Sequence, residues 1–180
     1  MRHYFGNKDT FALEYENAGD GEHFFEIWVD KKAICCFYKN GSLQRFKWNL
    51  NSIVEWFEAN MSIIMTEEEF PLPVEANSSI DFYNKSSEYD SDEMEEFNRW
   101  FDIRQEWCFH HSWFINRDGA FLADVYFRTV KDKIEIEWDN VNEYEGIIFQ
   151  NPKGIFYVDK QVFCDTINCF ISSYRGECIN

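Results

Sequence analysis

From Phe11 to Trp48 apolar and polar residues change places over short runs, and turn residues separate the runs. "FALEYE" (Phe11 to Glu16) alternates weakly, "HFFEIWVD" (His23 to Asp30) follows a Gly-Asp-Gly turn, and "AICCFY" (Ala33 to Tyr38) comes after the short Lys31-Lys32 connection. Runs of this length and period predict strands. Asn40-Gly41 then sits between two apolar runs. Both residues tolerate positive φ, so a hairpin is expected there, with "LQRFKW" (Leu43 to Trp48) as the returning strand.

The period then becomes helical. Ser52 and Glu55 have the spacing of a capping box, and Ile53, Val54, Trp56, Phe57 and Met61 supply an apolar face, so a helix is expected from Ser52 to near Ile64. Pro71, Pro73 and a high content of Ser, Asn and Asp predict an acidic loop over 66–91. A loop that long in a compact domain is functional or mobile. Asp90 or Ser91 can cap the next helix, expected to end near Trp107. At 100° per residue Met94, Phe97, Trp100, Phe101, Ile103 and Trp107 share one broad half, and Glu95, Arg99, Asp102 and Glu106 share the other. The aromatics are expected in the core and the carboxylates in solvent.

Strand patterns return after a turn at Asp118-Gly119. "FLADVYFRTV" (Phe121 to Val130) and "KIEIEWD" (Lys133 to Asp139) read as a hairpin, and "GIIFQ" and "GIFYVD" flank "NPKG" as another. A last helix is expected from Lys160 to Tyr174, with a stripe of Phe163, Ile167, Phe170, Ile171 and Tyr174 and a stop at Gly176. Each half thus has hairpin strands followed by a helix, 24–61 and 125–174, which suggests a duplicated unit. The expected class is α+β: one domain over 1–180, a mostly antiparallel sheet of hairpins with about three packed helices.

Composition adds two constraints. The 19 Phe, 9 Tyr and 7 Trp make 19% of the chain aromatic, which argues against disorder and favours aromatic anchors at interfaces. Seventeen Lys plus Arg against 33 Asp plus Glu give a net charge of −16. That field repels a phosphate backbone, so direct nucleic-acid binding is not expected, and it draws in a basic protein. The N-terminal residues carry no apolar signal region and no run of eighteen apolar residues occurs. Neither export by a standard signal nor membrane insertion is expected, and the cytoplasm follows as the location. The six cysteines are then expected as reduced thiols.

Chemistry is sparse. Cys35, Cys36, Cys108, Cys164, Cys169 and Cys178 form no Cys-x-x-Cys pair. Cys35 and Cys36 are expected on opposite faces of a strand. Cys164 and Cys169 fall about 140° apart on a helix. Cys108, His110 and His111 are the residues on which a small enzyme or metal protein would be built, with Cys108 and His110 facing one way if the chain is extended there. Ser112, Asp118 and Asp124 lie nearby, but no nucleophile elbow and no phosphate-binding glycine loop accompanies them, so no catalytic residue and no cofactor is assigned.

The densest feature is acidic: Glu67, Glu68, Glu69, Glu88, Asp90, Asp92, Glu93, Glu95, Glu96 and Asp102, with Phe70, Phe82, Tyr83 and Tyr89 interleaved. Charges steer a partner and aromatics anchor it. The expected partner-binding residues are Glu88, Asp90, Asp92, Glu93, Glu95 and Glu96, with Tyr83 and Tyr89 as anchors. In size, acidity, aromatic content and α+β organisation the chain resembles the bacterial immunity proteins of polymorphic-toxin and contact-dependent inhibition systems. The segment from His110 to Asn140, with His-Ser, Asp-Val-x-Phe-Arg and Ile-Glu-Ile-x-Trp-Asp, also resembles a poorly characterised bacterial domain. The first resemblance implies a non-enzymatic protein that neutralises a cognate toxin domain, often a basic nuclease. The alternatives are a DNA mimic whose carboxylates imitate phosphates, and the small enzyme or metal protein above.

Overall fold

The computed structural model describes residues 1–67, 69–113 and 120–177. They form four helices and three antiparallel sheets, the expected α+β class. The first sheet contains β1 (Arg2–Asn7), β2 (Phe11–Gly19), β3 (Glu22–Val29) and β4 (Lys32–Ala33) in that order, and β7 (Lys47–Trp48) also pairs β3. A small second sheet has β5 (Phe37–Lys39) between β10 (Ile147–Phe149) and β6 (Ser42–Gln44). The third sets β9 (Lys133–Asp139) between β11 (Lys153–Asp159) and β8 (Tyr126–Val130). The Asn40-Gly41 hairpin forms as expected, with φ of 52° and 76° at its two turn residues.

Two expected strands break, for visible reasons. The run Ala33 to Tyr38 bends after β4 because the Glu26 carboxylate takes the Cys35 N–H at 2.6 Å, a donor that a continuous strand would give to its neighbour. Cys35 is buried in the core, and Cys36 reaches the other carboxylate oxygen through Sγ at 2.8 Å. Leu43 to Trp48 likewise splits, β6 joining the second sheet and β7 the first. The third hairpin is also corrected: β10 pairs β5 and β11 pairs β9, so "NPKG" links two sheets.

Burial pushes the Glu26 carboxyl up to about 7 from an ordinary 4.5, despite the donors it faces. The folded state therefore keeps this proton to higher pH than the unfolded chain. Its contribution to stability is full below pH 4.5 and is lost as pH rises through 7. Glu26→Gln is expected to remove that slope. Between pH 4.5 and 7.5 the variant should gain about 3 kcal/mol on the parent in urea unfolding, and a constant difference across that range would refute the assignment.

The helices are α1 (Asn51–Thr66), α2 (Ser79–Ser87), α3 (Met94–His111) and α4 (Lys160–Glu177). The Ser52–Glu55 capping box does not form. Leu50 is the N-cap without a side-chain bond, and Glu55 instead accepts from Asn51 Nδ2 at 2.6 Å. In α4 the stripe of Phe163, Ile167, Phe170 and Tyr174 is buried as its spacing predicts, and the helix passes through Gly176 to Glu177. The Asp118-Gly119 turn and Cys178 lie outside the described residues.

The halves do not stand apart. One buried cluster includes Phe11, Phe25, Ile53, Phe57, Trp113, Phe127, Ile136 and Phe170, drawn from the first and third sheets, from α1 and α4, and from the residue pair after α3. Helix α1, which follows the first sheet, packs on β8 of the third. Helix α4, which follows the third sheet, lies across β1 and β2 as well as β9 and β11.

Helix α2 lies inside the stretch expected to be an acidic loop. Only Ser79 and Ser86 are buried along it, so no apolar stripe announces it. Its first turn is held by side chains from the third sheet. Ser78 Oγ accepts from Asp81 N, Glu137 of β9 accepts from Ile80 N at 2.8 Å, and Glu135 of β9 accepts from Ser79 N at 2.9 Å. Two sheet carboxylates thus satisfy the free N–H groups of the helix start, where the dipole favours negative charge. Burial holds the Glu137 carboxyl above its ordinary range in spite of these donors.

Candidate partner-binding surface

Helices α2 and α3 and the residues between them carry the expected site. Helix α3 begins at Met94, with Glu93 as its N-cap, and runs to His111, so it starts later and ends later than expected. Glu88, Asp90, Asp92 and Glu93 lie on the connection and Glu95 and Glu96 in the first turn of α3, and all six side chains are exposed. The two anchors are less free than expected. Tyr89 stacks on Trp100 with ring centroids 3.9 Å apart, and Trp100 Nε1 donates to Ser86 O at 2.8 Å. Tyr83 packs on the cluster of Trp107, Cys108 and Tyr126, with the Arg104 guanidinium 5.4 Å from its ring centre.

The six carboxylates are not equivalent. The Tyr89 hydroxyl donates to Glu96, which lowers the Glu96 carboxyl below its ordinary range and raises the Tyr89 phenol. Ser91 Oγ donates to the same carboxylate at 2.9 Å. Glu96 therefore ties the connection to α3. Glu88, Asp90, Asp92, Glu93 and Glu95 carry no comparable internal bond through their side chains among the described residues.

The aromatic half of α3 is where sequence reasoning fails. Trp107 is buried, but Met94 is 71% exposed, Phe97 37% and Phe101 43%. Positions 94, 97 and 101 fall on one side of the helix at i, i+3 and i+7. The first half of α3 has α2 beside it through the Trp100 bond to Ser86, and among the described residues only the Arg104 guanidinium, 5.2 Å from the Phe101 ring centre, lies against this other side. An apolar stripe thus stands in solvent next to the carboxylates. Its spacing was legible, but the expectation that it faced the core is overturned.

The other acidic residues separate from this group. Glu67 pairs with His111 Nε2 at 2.9 Å, Asp102 is exposed on α3, and Glu68 lies outside the described residues.

Cys108, His110 and His111 are helical, so they diverge. The Cys108 thiol meets the Tyr126 hydroxyl at 3.5 Å, His110 Nδ1 bonds Asn60 Oδ1 at 2.7 Å, and His111 bonds Phe127 O and Glu67. Burial pushes the Cys108 thiol up to about 11, a poor setting for a nucleophile. Ser112 Oγ donates to Asp124, whose backbone is clamped by Asn140. Among the described residues no three His, Cys, Asp or Glu side chains are grouped to hold a metal ion, and no helix is long and apolar enough to cross a membrane.

No protein-family model matches the chain, and neither a curated protein nor a solved structure matches it.

Proposed function

We propose that the protein binds and neutralises a basic protein, a toxin domain in the manner of an immunity protein, through the exposed side of α3 and the α2–α3 connection. The observation that carries this reading is the stripe of Met94, Phe97 and Phe101, exposed beside Glu88, Asp90, Asp92, Glu93 and Glu95. Neighbouring carboxylates raise the encounter rate with a basic surface, and the apolar side chains hold the complex once formed. The net charge of −16 acts in the same direction.

The test is affinity capture from the source lysate at low and high salt, with the parent protein and two variants. One basic protein is expected, released by salt and lost with the double variant Phe97→Ser, Phe101→Ser. The triple variant Glu93→Lys, Glu95→Lys, Glu96→Lys should abolish capture and leave the circular dichroism spectrum unchanged. Capture that neither variant alters would refute the site. A captured DNA-binding enzyme that duplex DNA displaces would replace this reading with phosphate mimicry.

A further inference from the structure

The three sheets end in open edges, which proteins protect with short strands, kinks, prolines or a covering element. β6 and β10 have three residues each, and β4 and β7 have two. In β1, Gly6 has φ of 86°, outside extended geometry. The far side of β8 is met by a bridge from Ser112. β11 has none of these devices between Gly154 and Val158. All seven of its residues pair β9, and among the described residues no strand pairs its other side.

The hydrogen-bond pattern shows what that side presents. Asn140 N donates to Pro152 O at 2.6 Å and Lys160 N to Asp132 O at 3.4 Å, so the bonds to β9 fall on the alternate residues between them: Gly154, Phe156 and Val158. The N–H and C=O groups of Lys153, Ile155, Tyr157 and Asp159 therefore point to the open edge. Their side chains share one face of the sheet, where Ile155 is 45% and Tyr157 40% exposed.

A second copy of this strand fits the edge. In an antiparallel pairing centred on Phe156, Lys153 lies opposite Asp159 of the other copy, and Ile155 opposite Tyr157. Moving the centre by one residue sets Lys153 opposite Tyr157 or Gln161 instead. The Asp159 carboxylate is held at the strand end by Gln161 N and Val162 N, both on Oδ1. Lys153 Nζ reaches Asp139 at 2.6 Å and keeps further donors. Between its ends the strand carries no charged residue, in a chain of net charge −16. Two such chains repel, and an edge of balanced charge is where they can meet.

We infer that the protein self-associates through β11, two copies joining their third sheets into one antiparallel sheet about a two-fold axis between the Phe156 residues. The joint lies at the opposite edge of that sheet from β8, the strand on which α3 packs.

The test is sedimentation of the full chain over a concentration series, with amide hydrogen exchange at both ends of the series. The mass is expected to rise from 21.7 kDa toward twice that value, and to do so at lower concentration in high salt, which screens the net charge. In the associated state the Ile155 and Tyr157 amides should exchange roughly tenfold more slowly than in the dilute chain, while those of Gly154, Phe156 and Val158 stay protected in both. Ile155→Pro removes an edge donor from each copy, leaves the β9 ladder intact and should weaken association roughly tenfold. Lys153→Glu sets like charges opposite and should weaken it by a similar factor at low salt and less at high salt. Lys153 is exposed, so its variant reports even if Ile155→Pro misfolds. A mass that stays at 21.7 kDa throughout the high-salt series would overturn the inference, as would association that leaves the Ile155 and Tyr157 amides unprotected. Association lost with Leu43→Ser and indifferent to both β11 variants would also overturn it, moving the contact to the exposed row of Ile148, Tyr38 and Leu43 across the second sheet.

Discussion

Glu135→Ala is expected to destabilise the protein by about 3–5 kcal/mol, the cost of stranding the partners of a buried charge. Glu135 is fully buried and accepts from Ser79 N and Oγ, from Arg128 Nε and Nη2, and from the Tyr157 hydroxyl. Removing it leaves a buried guanidinium whose Nη2 bond, at 3.0 Å, has no replacement. It also removes an anchor of the α2 start, so α2 amides should exchange with solvent faster than those of α4. The double variant Arg128→Met, Glu135→Leu should recover much of the loss, because no charge is then stranded. Urea unfolding of both variants decides the matter. A loss under about 1 kcal/mol for Glu135→Ala would mean that water replaces the network.

Trp113→Ala should cost as much, about 3–5 kcal/mol, by leaving a cavity where the sheets meet. The Trp113 ring packs edge-on against Phe25 of β3, Trp56 and Phe57 of α1, and Phe127 of β8, with centroids 5.4–6.1 Å away. Its Nε1 donates to Ala123 O at 2.8 Å, which the variant would leave buried and unmet. Trp113→Phe keeps most of the packing and should lose less. The check is the unfolding midpoint of both variants with the denaturant slope held constant. Equal losses for Ala and Phe would show that the hydrogen bond, and not the ring volume, carries the effect.

What the chain reveals in advance depends on how far apart the interacting groups lie. The Asn40-Gly41 hairpin and the apolar stripe of α4 were legible because their determinants sit within a few residues. Helix α2 was hidden because Ser78, Ser79 and Ile80 are held by carboxylates 56–59 residues away. The split of "AICCFY" had the same cause, since its Cys35 N–H answers to Glu26 nine positions earlier. Composition and spacing drew attention to the acidic residues and Tyr89 of the candidate site. The exposure of Phe97 and Phe101 was not legible, because a helical period identifies an apolar side without saying whether anything covers it.

The crossing of α4 onto the first sheet has a consequence for synthesis. Phe11 stacks on Phe163 at 5.1 Å, and Phe170 packs against Phe5, Tyr15 and Phe25. On the ribosome the strands that carry Phe11, Tyr15 and Phe25 emerge first and the helix that covers them emerges last. At about 5–20 residues per second the wait is on the order of 10 s. Throughout it the nascent chain holds a finished apolar sheet face with no lid, which makes the growing polypeptide a client for a chaperone well before the finished protein meets any partner.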